Sequence, residues 1–345
     1  MDGSGKERAM KKALFFLIKL ILTISCLAWA LNGVEWKDSI LSSPGDLDWQ
    51  WILWGVVAAG LTIFLTATRL WVLLAAQGIR ISLWRANELT LIGNLFNLAA
   101  VGGVGGDAAR IFLLIRDHPE RKLAVTLAVV FDHLVGLAAM SLVFFVLTAG
   151  HFDALASQSV ETKVIMKFAW MFFGGGLAMI AFMFLAAYPP IHDRIHARGR
   201  HWKIAFMRQV PVLVDLYRKE WKYALIALIS AVVMLPVYYG SFWFGAKAAG
   251  SSVSAGPVLI SMPVVDMMAA MPLSVAGVGV REKVFETLMS DLTGMDPGTA
   301  VAASLIGFCC TLVWALLGGL LFLRPSDRVS VKVIEEVTAD DDGNH

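Results

Sequence analysis

Apolar residues run along most of this chain in long blocks, and most charged residues lie in the gaps between blocks. Six blocks, about 13–32, 50–74, 123–149, 164–188, 223–247 and 300–323, reach the roughly 20 apolar residues that a helix needs to cross a hydrocarbon core. Two further stretches, 88–115 and 256–290, are apolar overall but interrupted. Each is broken by glycine, and charge follows at once: Gly102-Gly103-Val104-Gly105-Gly106-Asp107 with Arg110, and Ala276-Gly277-Val278-Gly279-Val280-Arg281-Glu282. Their uninterrupted arms, such as Leu89 to Val101, make helices of only about 20 Å, too short for a core of about 30 Å. Bare backbone is not tolerated against lipid, so broken helices of this kind line polar cavities inside membrane proteins.

Loop charge predicts how the two interrupted stretches lie. Arg80 and Arg85 precede the first, and Arg116, Arg121 and Lys122 follow it, so both flanks belong on the cytoplasmic side. A single crossing there would place the loop from Pro189 to Lys222, with its eight Lys and Arg residues, outside. A re-entrant hairpin dipping in from the cytoplasm removes the conflict. Around the second stretch, Ser251 to Ala255 and Asp291 to Thr299 carry no Lys or Arg, whereas Arg324, Arg328 and Lys332 follow the last span. That stretch is predicted to dip in from outside. The order is then span, span, hairpin, span, repeated with every direction reversed: an inverted-topology repeat. The expected fold is an all-α polytopic membrane protein with six transmembrane helices and two re-entrant helical hairpins. Residues 1–324 form one membrane domain, with repeat one at about 13–149 and repeat two at about 164–323. Residues 325–345 form a short acidic tail, expected to be cytoplasmic and disordered.

Composition agrees. The chain is 58% apolar and 16% charged with mean hydropathy +0.69, against roughly 45–50% and about 25% in soluble domains. Net charge of +2 gives no reason to expect nucleic acid, because the basic residues sit in loops between spans. Cys26, Cys309 and Cys310 have neither disulfide nor metal-clamp spacing and read as small apolar fillers. The first span ends near Ala28-Trp29-Ala30, which resembles a signal-peptidase site, but Lys19 inside it and the many spans beyond favour a retained helix. Arg69 is expected to snorkel from a cytoplasmic helix end, and Trp29, Trp36, Trp49, Trp51 and Trp54 to anchor the outer boundary. Gly103 to Ala108 fits a dinucleotide fingerprint, but no strand precedes it. His192 and His196 lack the acidic partner of a zinc motif, and their basic loop, with its interspersed apolar residues, reads as an interfacial segment. No cofactor and no metal is expected.

Three motifs carry a resemblance: Gly93-Asn94-Leu95-Phe96-Asn97 running into the glycine cluster and Arg110, Phe131-Asp132-His133-Leu134-Val135-Gly136, and Pro272-Leu273-Ser274-Val275-Ala276-Gly277-Val278-Gly279-Val280-Arg281-Glu282. Together they resemble the lysylphosphatidylglycerol synthase transmembrane family, also called flippase-like domain proteins. The resemblance covers nearly the whole chain. It implies a multi-pass protein of a bacterial or archaeal cytoplasmic (inner) membrane, both termini cytoplasmic, related to the lipid-translocating half of bifunctional lipid aminoacylation enzymes but without their soluble transferase half.

The residues offer a mechanism in keeping with that family. Half-helices beginning at Asp107 and Arg281 point unpaired N–H groups into a cavity, adding about half a positive charge at each N-terminus, where phosphate binds readily. Arg110 and Arg281 suit bidentate pairing with a phosphodiester or diphosphate. Asp132 lies about 13 Å into its span, close to the midplane, as a counter-ion for an arginine without lipid; Glu282 and Asp266 are second candidates, Glu282 equally as a first-turn carboxylate. The expected substrate site comprises Asn94, Asn97, Gly103, Gly105, Gly106, Asp107, Arg110, Asp132, Asp266, Gly277, Gly279, Arg281 and Glu282, with no catalytic residue. The glycines alone would also suit close helix packing. A transporter of an anionic or polyprenyl-phosphate-linked lipid is expected. Two alternatives stay open: an intramembrane enzyme acting on a lipid-linked phosphate, and a non-transporting partner of an envelope lipid-synthesis complex. Expected partners are membrane lipids with phosphate head groups, with a homo-oligomer or a lipid-synthesis enzyme also open.

Overall fold

The computed structural model describes residues 25, 28, 45, 47–99, 105–149, 159–186, 214–271 and 274–323. The first predicted span, Gly102 to Val104, most of the basic loop after Pro189, Pro272, Leu273 and the tail lie outside the described residues. Among the described residues the regular structure is helical: α1 (Trp49–Ala76), α2 (Leu83–Ala99), α3 (Gly105–Asp117), α4 (Lys122–Thr148), α5 (Val160–Ala186), α6 (Trp221–Ala248), α7 (Ala255–Ala269), α8 (Val280–Thr293) and α9 (Pro297–Phe322). Residues 214–219 are helical too, and 3-10 turns occupy Pro119–Arg121 and Val275–Gly277.

Helices α1, α4, α5, α6 and α9 are long and apolar enough to cross a membrane, and each coincides with a predicted span. The chain is a multi-pass helical membrane protein. Local signals set the helix ends. Asp48 accepts from Gln50 N–H at 3.0 Å to start α1. Asp296 accepts from Thr299 N–H at 3.0 Å to start α9, with Pro297 in its first turn. Gly294 stops α8 in the left-handed region.

Each interrupted stretch is a pair of short helices folded back on itself. Arg85 meets Asp117, Gly93 lies against the Arg110 side chain, and Gly106 N–H donates to Asn97, so contacts run forward along α2 and backward along α3. In the second pair Ser261 faces Met289 near the base and Ala269 faces Gly277 near the tip. Small residues allow this closeness: a Cβ on Gly106 would fall 2.6 Å from the Asn97 side chain.

Helices α1 and α6 form the spine. They run antiparallel, with Asp48 N–H on Ala248 O, Ser230 Oγ on Leu65 O and, from the segment just before α6, Tyr217 OH on Leu73 O. Helix α9 runs parallel to α1, through Cys310 to Ile52 O and Trp314 to Val56 O. The packing pattern is duplicated: α2 lies on α9 and α7 on α4, α1 touches α4 and α9, and so does α6. Helix α5 is outermost and turns apolar side chains such as Val164, Met171 and Phe182 outward. Trp49 and Trp54 are exposed as expected of anchors, whereas Trp51 turns inward against Trp243 and Phe244.

Candidate functional site

Where the tips of the two helix pairs meet, the interior opens into two adjoining cavities. The larger, about 350 Å³, lies among α1, α2, α4, α6, α7 and α9 and is lined by Asn94, Asn97, Tyr238 and Asp266 together with threonine and apolar side chains. The smaller, about 230 Å³, is lined by Asn97 and Leu98 of α2, Asp266 of α7, Ser274, Ala276 and Gly277 of the tip, Arg281 of α8 and Phe308 of α9. Asn97, Leu98 and Asp266 belong to both walls.

Arg281 dominates the smaller cavity. Its Nη2 donates to Ala276 O at 2.9 Å, and its guanidinium lies over the Phe308 ring with the carbon 4.5 Å from the centroid. Among the described residues, Nε and Nη1 are buried without a hydrogen-bond partner, as is the Ser274 hydroxyl. Buried donors are nearly always satisfied, so three of them on one cavity wall are able to donate to an acceptor there. The tip backbone supports this geometry. Ala276 is held at φ 53 and Gly277 at φ 75; a left-handed non-glycine residue costs roughly 1–2 kcal/mol, and it aims the Ala276 carbonyl at Arg281.

Asp266 of α7 lines the same cavity. Tyr238 OH donates to it at 3.4 Å, and Arg281 is the charge that acts on it. Glu282 has turned away: its carboxylate accepts from Gly279 N–H at 2.5 Å, capping α8, and Ser304 Oγ donates to it at 3.4 Å. Glu282 is therefore a buried cap, and neither it nor Gly279 lines these cavities.

The other charged residues form a separate cluster between α1, α3 and α4. Arg69 donates to both oxygens of Asp132, at 2.6 and 2.8 Å, with both side chains buried. The expectation that Arg69 snorkels is thus corrected. Gly136, one turn beyond Asp132, leaves room for the guanidinium, since a Cβ there would meet Arg69 Nη1 at 3.3 Å. Asp132 is accordingly the counter-ion of Arg69. Arg110 lies within electrostatic reach of Asp132, Asp107 and Arg69, donates to Asp107 at 3.3 Å, and keeps Nε buried without a partner among the described residues. His133 Nε2 also approaches Asp107, at 3.3 Å. Arg110 does not share the lining of either cavity with Arg281.

The helix N-termini differ from expectation as well. Helix α3 is already helical at Gly105, ahead of Asp107; its Gly106 N–H goes to Asn97 Oδ1 at 2.7 Å, and Asp107 lies in its first turn. At α8 the Glu282 carboxylate takes the corresponding place. The described N–H groups at Gly106 and Gly279 thus meet the protein's own acceptors. Gly103 lies outside the described residues.

Of the expected site residues, Asn94, Asn97, Asp266, Gly277 and Arg281 come together around the cavities, while Gly105, Gly106, Asp107, Arg110 and Asp132 hold the first pair and its neighbours. Sequence reading passed over Ser274, Tyr238, Phe308 and the Arg69 pairing. Ser274 sits inside the third motif, and Gly136 four residues after Asp132 is the kind of gap that admits a buried guanidinium. Tyr238 carried no signal beyond a hydroxyl within a span.

No curated protein and no solved structure matches the chain. The profile of the lysylphosphatidylglycerol synthase TM region matches residues 16–319, and it is this membrane region alone, with no soluble catalytic domain, that is detected. A match spanning most of 345 residues, on a multi-pass helical architecture, shows that the chain belongs to the lysylphosphatidylglycerol synthase TM region family.

Proposed function

We propose that this protein carries a lipid with an anionic phosphate head group between membrane leaflets, the phosphate held at Arg281 while the acyl or prenyl tails stay in the bilayer. The observation that carries the reading is the set of unpartnered donors, Arg281 Nε and Nη1 and Ser274 Oγ, on one cavity wall. A phosphate has several acceptor oxygens to meet them, and a guanidinium is the side-chain cation best suited to it. Asn94, Asn97 and Gly277 shape the chamber around the head group.

The reading includes a topology: six spans, two re-entrant hairpins and an inverted repeat, in a bacterial or archaeal cytoplasmic membrane with both termini inside. The antiparallel course of α1 and α6 supports it. If α2 and α3 together crossed the membrane once, α6 would run parallel to α1; a pair that returns to its starting side makes it antiparallel. The duplicated packing, α2 with α9 against α7 with α4, supports the repeat. Single cysteines at Glu120 and Lys219 should label from one side of the membrane and cysteines at Gly250 and Asp296 from the other; Glu120 and Lys219 on opposite sides would dismantle the hairpin reading.

The functional test uses protein-only vesicles containing a labelled anionic lipid. Wild-type protein should move the label between leaflets, Arg281→Ala should abolish movement, and Arg281→Lys should restore a minor part. Equal rates for wild type and Arg281→Ala would remove the role given to that residue.

A further inference from the structure

Arg281 and Asp266 are opposite charges on the wall of one cavity, and Asp266 also lines the adjoining one. Arg281 is the charge facing Asp266, and the titratable groups beside it are the hydroxyls of Tyr238 and Tyr239 on α6. The cavity groups contributed by α1, α2 and α9 are threonine, asparagine and apolar side chains. The empty chamber is therefore close to neutral. A phosphodiester entering it brings one negative charge, and it competes with Asp266 for the Arg281 guanidinium. Two anions facing one cation in a desolvated site are costly. Neutrality returns when one of them takes up a proton, and the carboxylate is far more basic than a phosphodiester.

We propose that Asp266 is a proton-binding site coupled to the lipid site, so that one proton enters with each singly charged anionic lipid and leaves with it. The Asp266 carboxylate takes a proton from the side where lipid enters and becomes a neutral acid; the Arg281 guanidinium passes from Asp266 to the lipid phosphate. Tyr238 accommodates both forms, since its hydroxyl donates to the carboxylate now and is able to accept from the acid. The loaded site carries no net charge, and transport is electroneutral symport. This inference rests on the anionic-lipid reading above and adds the second ligand.

The test is binding of short-chain phosphatidylglycerol to the purified full chain in detergent micelles between pH 5 and 9. Coupled uptake of one proton weakens binding as pH rises, by about tenfold per unit above the titration of free Asp266. Calorimetry in buffers of different ionisation enthalpy should report one proton taken up per lipid there. Asp266→Asn should bind without pH dependence and at least as tightly as wild type at low pH, while Asp266→Glu keeps the slope with a shifted midpoint. Zwitterionic phosphatidylcholine of the same chain length should show no slope. A flat profile for wild type, or an unchanged slope in Asp266→Asn, overturns the coupling while leaving the lipid site intact. Absence of phosphatidylglycerol binding by wild type, or binding unaffected by Arg281→Ala, overturns the underlying reading and the coupling with it.

Discussion

Removing Asp132 should destabilise the protein more than removing its partner Arg69, although the two share one ion pair. The pair is bidentate, at 2.6 and 2.8 Å, with side-chain exposures of 9% for Arg69 and 2% for Asp132. Breaking a buried pair from one side costs about 3–5 kcal/mol, because the remaining charge loses its partner without regaining water. Asp132→Asn leaves two guanidiniums, Arg69 and Arg110, within electrostatic reach of each other without the carboxylate, which puts it at the top of that range. Arg69→Met leaves Asp132 with Arg110 still in reach, and its cost should fall to about 1–3 kcal/mol, that of a partly unsatisfied buried group. The double substitution Arg69→Met with Asp132→Leu should cost less than Asp132→Asn alone, since it removes both charges of the pair and leaves Arg110 with Asp107. Equilibrium unfolding in mixed detergent micelles, followed by circular dichroism, measures all three. A larger loss for Arg69→Met than for Asp132→Asn would refute the assignment of Arg110 as a second cation for Asp132.

The other expectations are more local. Gly106→Val should push α2 and α3 apart, since its side chain would meet Asn97 and the Gly93 carbonyl; a loss of about 1–3 kcal/mol in the same unfolding assay is expected. Glu282→Ala removes the cap on Gly279 N–H and should cost about 1–2 kcal/mol, with Glu282→Gln close to wild type at the cap; a greater loss of lipid movement than of stability in Glu282→Gln would show that the carboxylate does more than cap. Asp291, at the end of α8, is pushed up by partial burial, but the Ser159 and Thr162 hydroxyls outweigh this and hold it below the usual carboxylate range. A carboxyl lowered on folding stabilises above its unfolded value and loses that contribution as pH falls through the folded one. The tie between α5 and the second helix pair should therefore persist at neutral pH and weaken below about pH 4, seen as faster amide exchange at the start of α5. Ser159→Ala with Thr162→Val should give the same exchange at neutral pH; no change in either case would remove the tie.

The five described spans and both interrupted stretches were readable in one dimension because each follows from a local quantity. Apolar length against bilayer thickness marks α1, α4, α5, α6 and α9, and glycine followed by charge marks the breaks before α3 and α8. Arg281 and Asp266 stood out too, since polar groups are rare inside long apolar stretches. Which charges meet was not readable, because pairing depends on how helices far apart in sequence rotate and pack. Arg69 and Asp132 are separated by 63 positions, and nothing local distinguishes a guanidinium that snorkels from one that turns inward beneath Gly136. Likewise Arg110 and Arg281 look equivalent along the chain, yet packing leaves Arg110 among Asp107, Asp132 and Arg69 and leaves Arg281 facing a cavity with two unpartnered nitrogens. Sequence alone determined the helices, their interruptions and the family resemblance, since those depend on neighbours along the chain. Tertiary structure alone decided which charges neutralise each other and which remain available to a ligand, because burial and partnering belong to surfaces that exist only once the helices are packed.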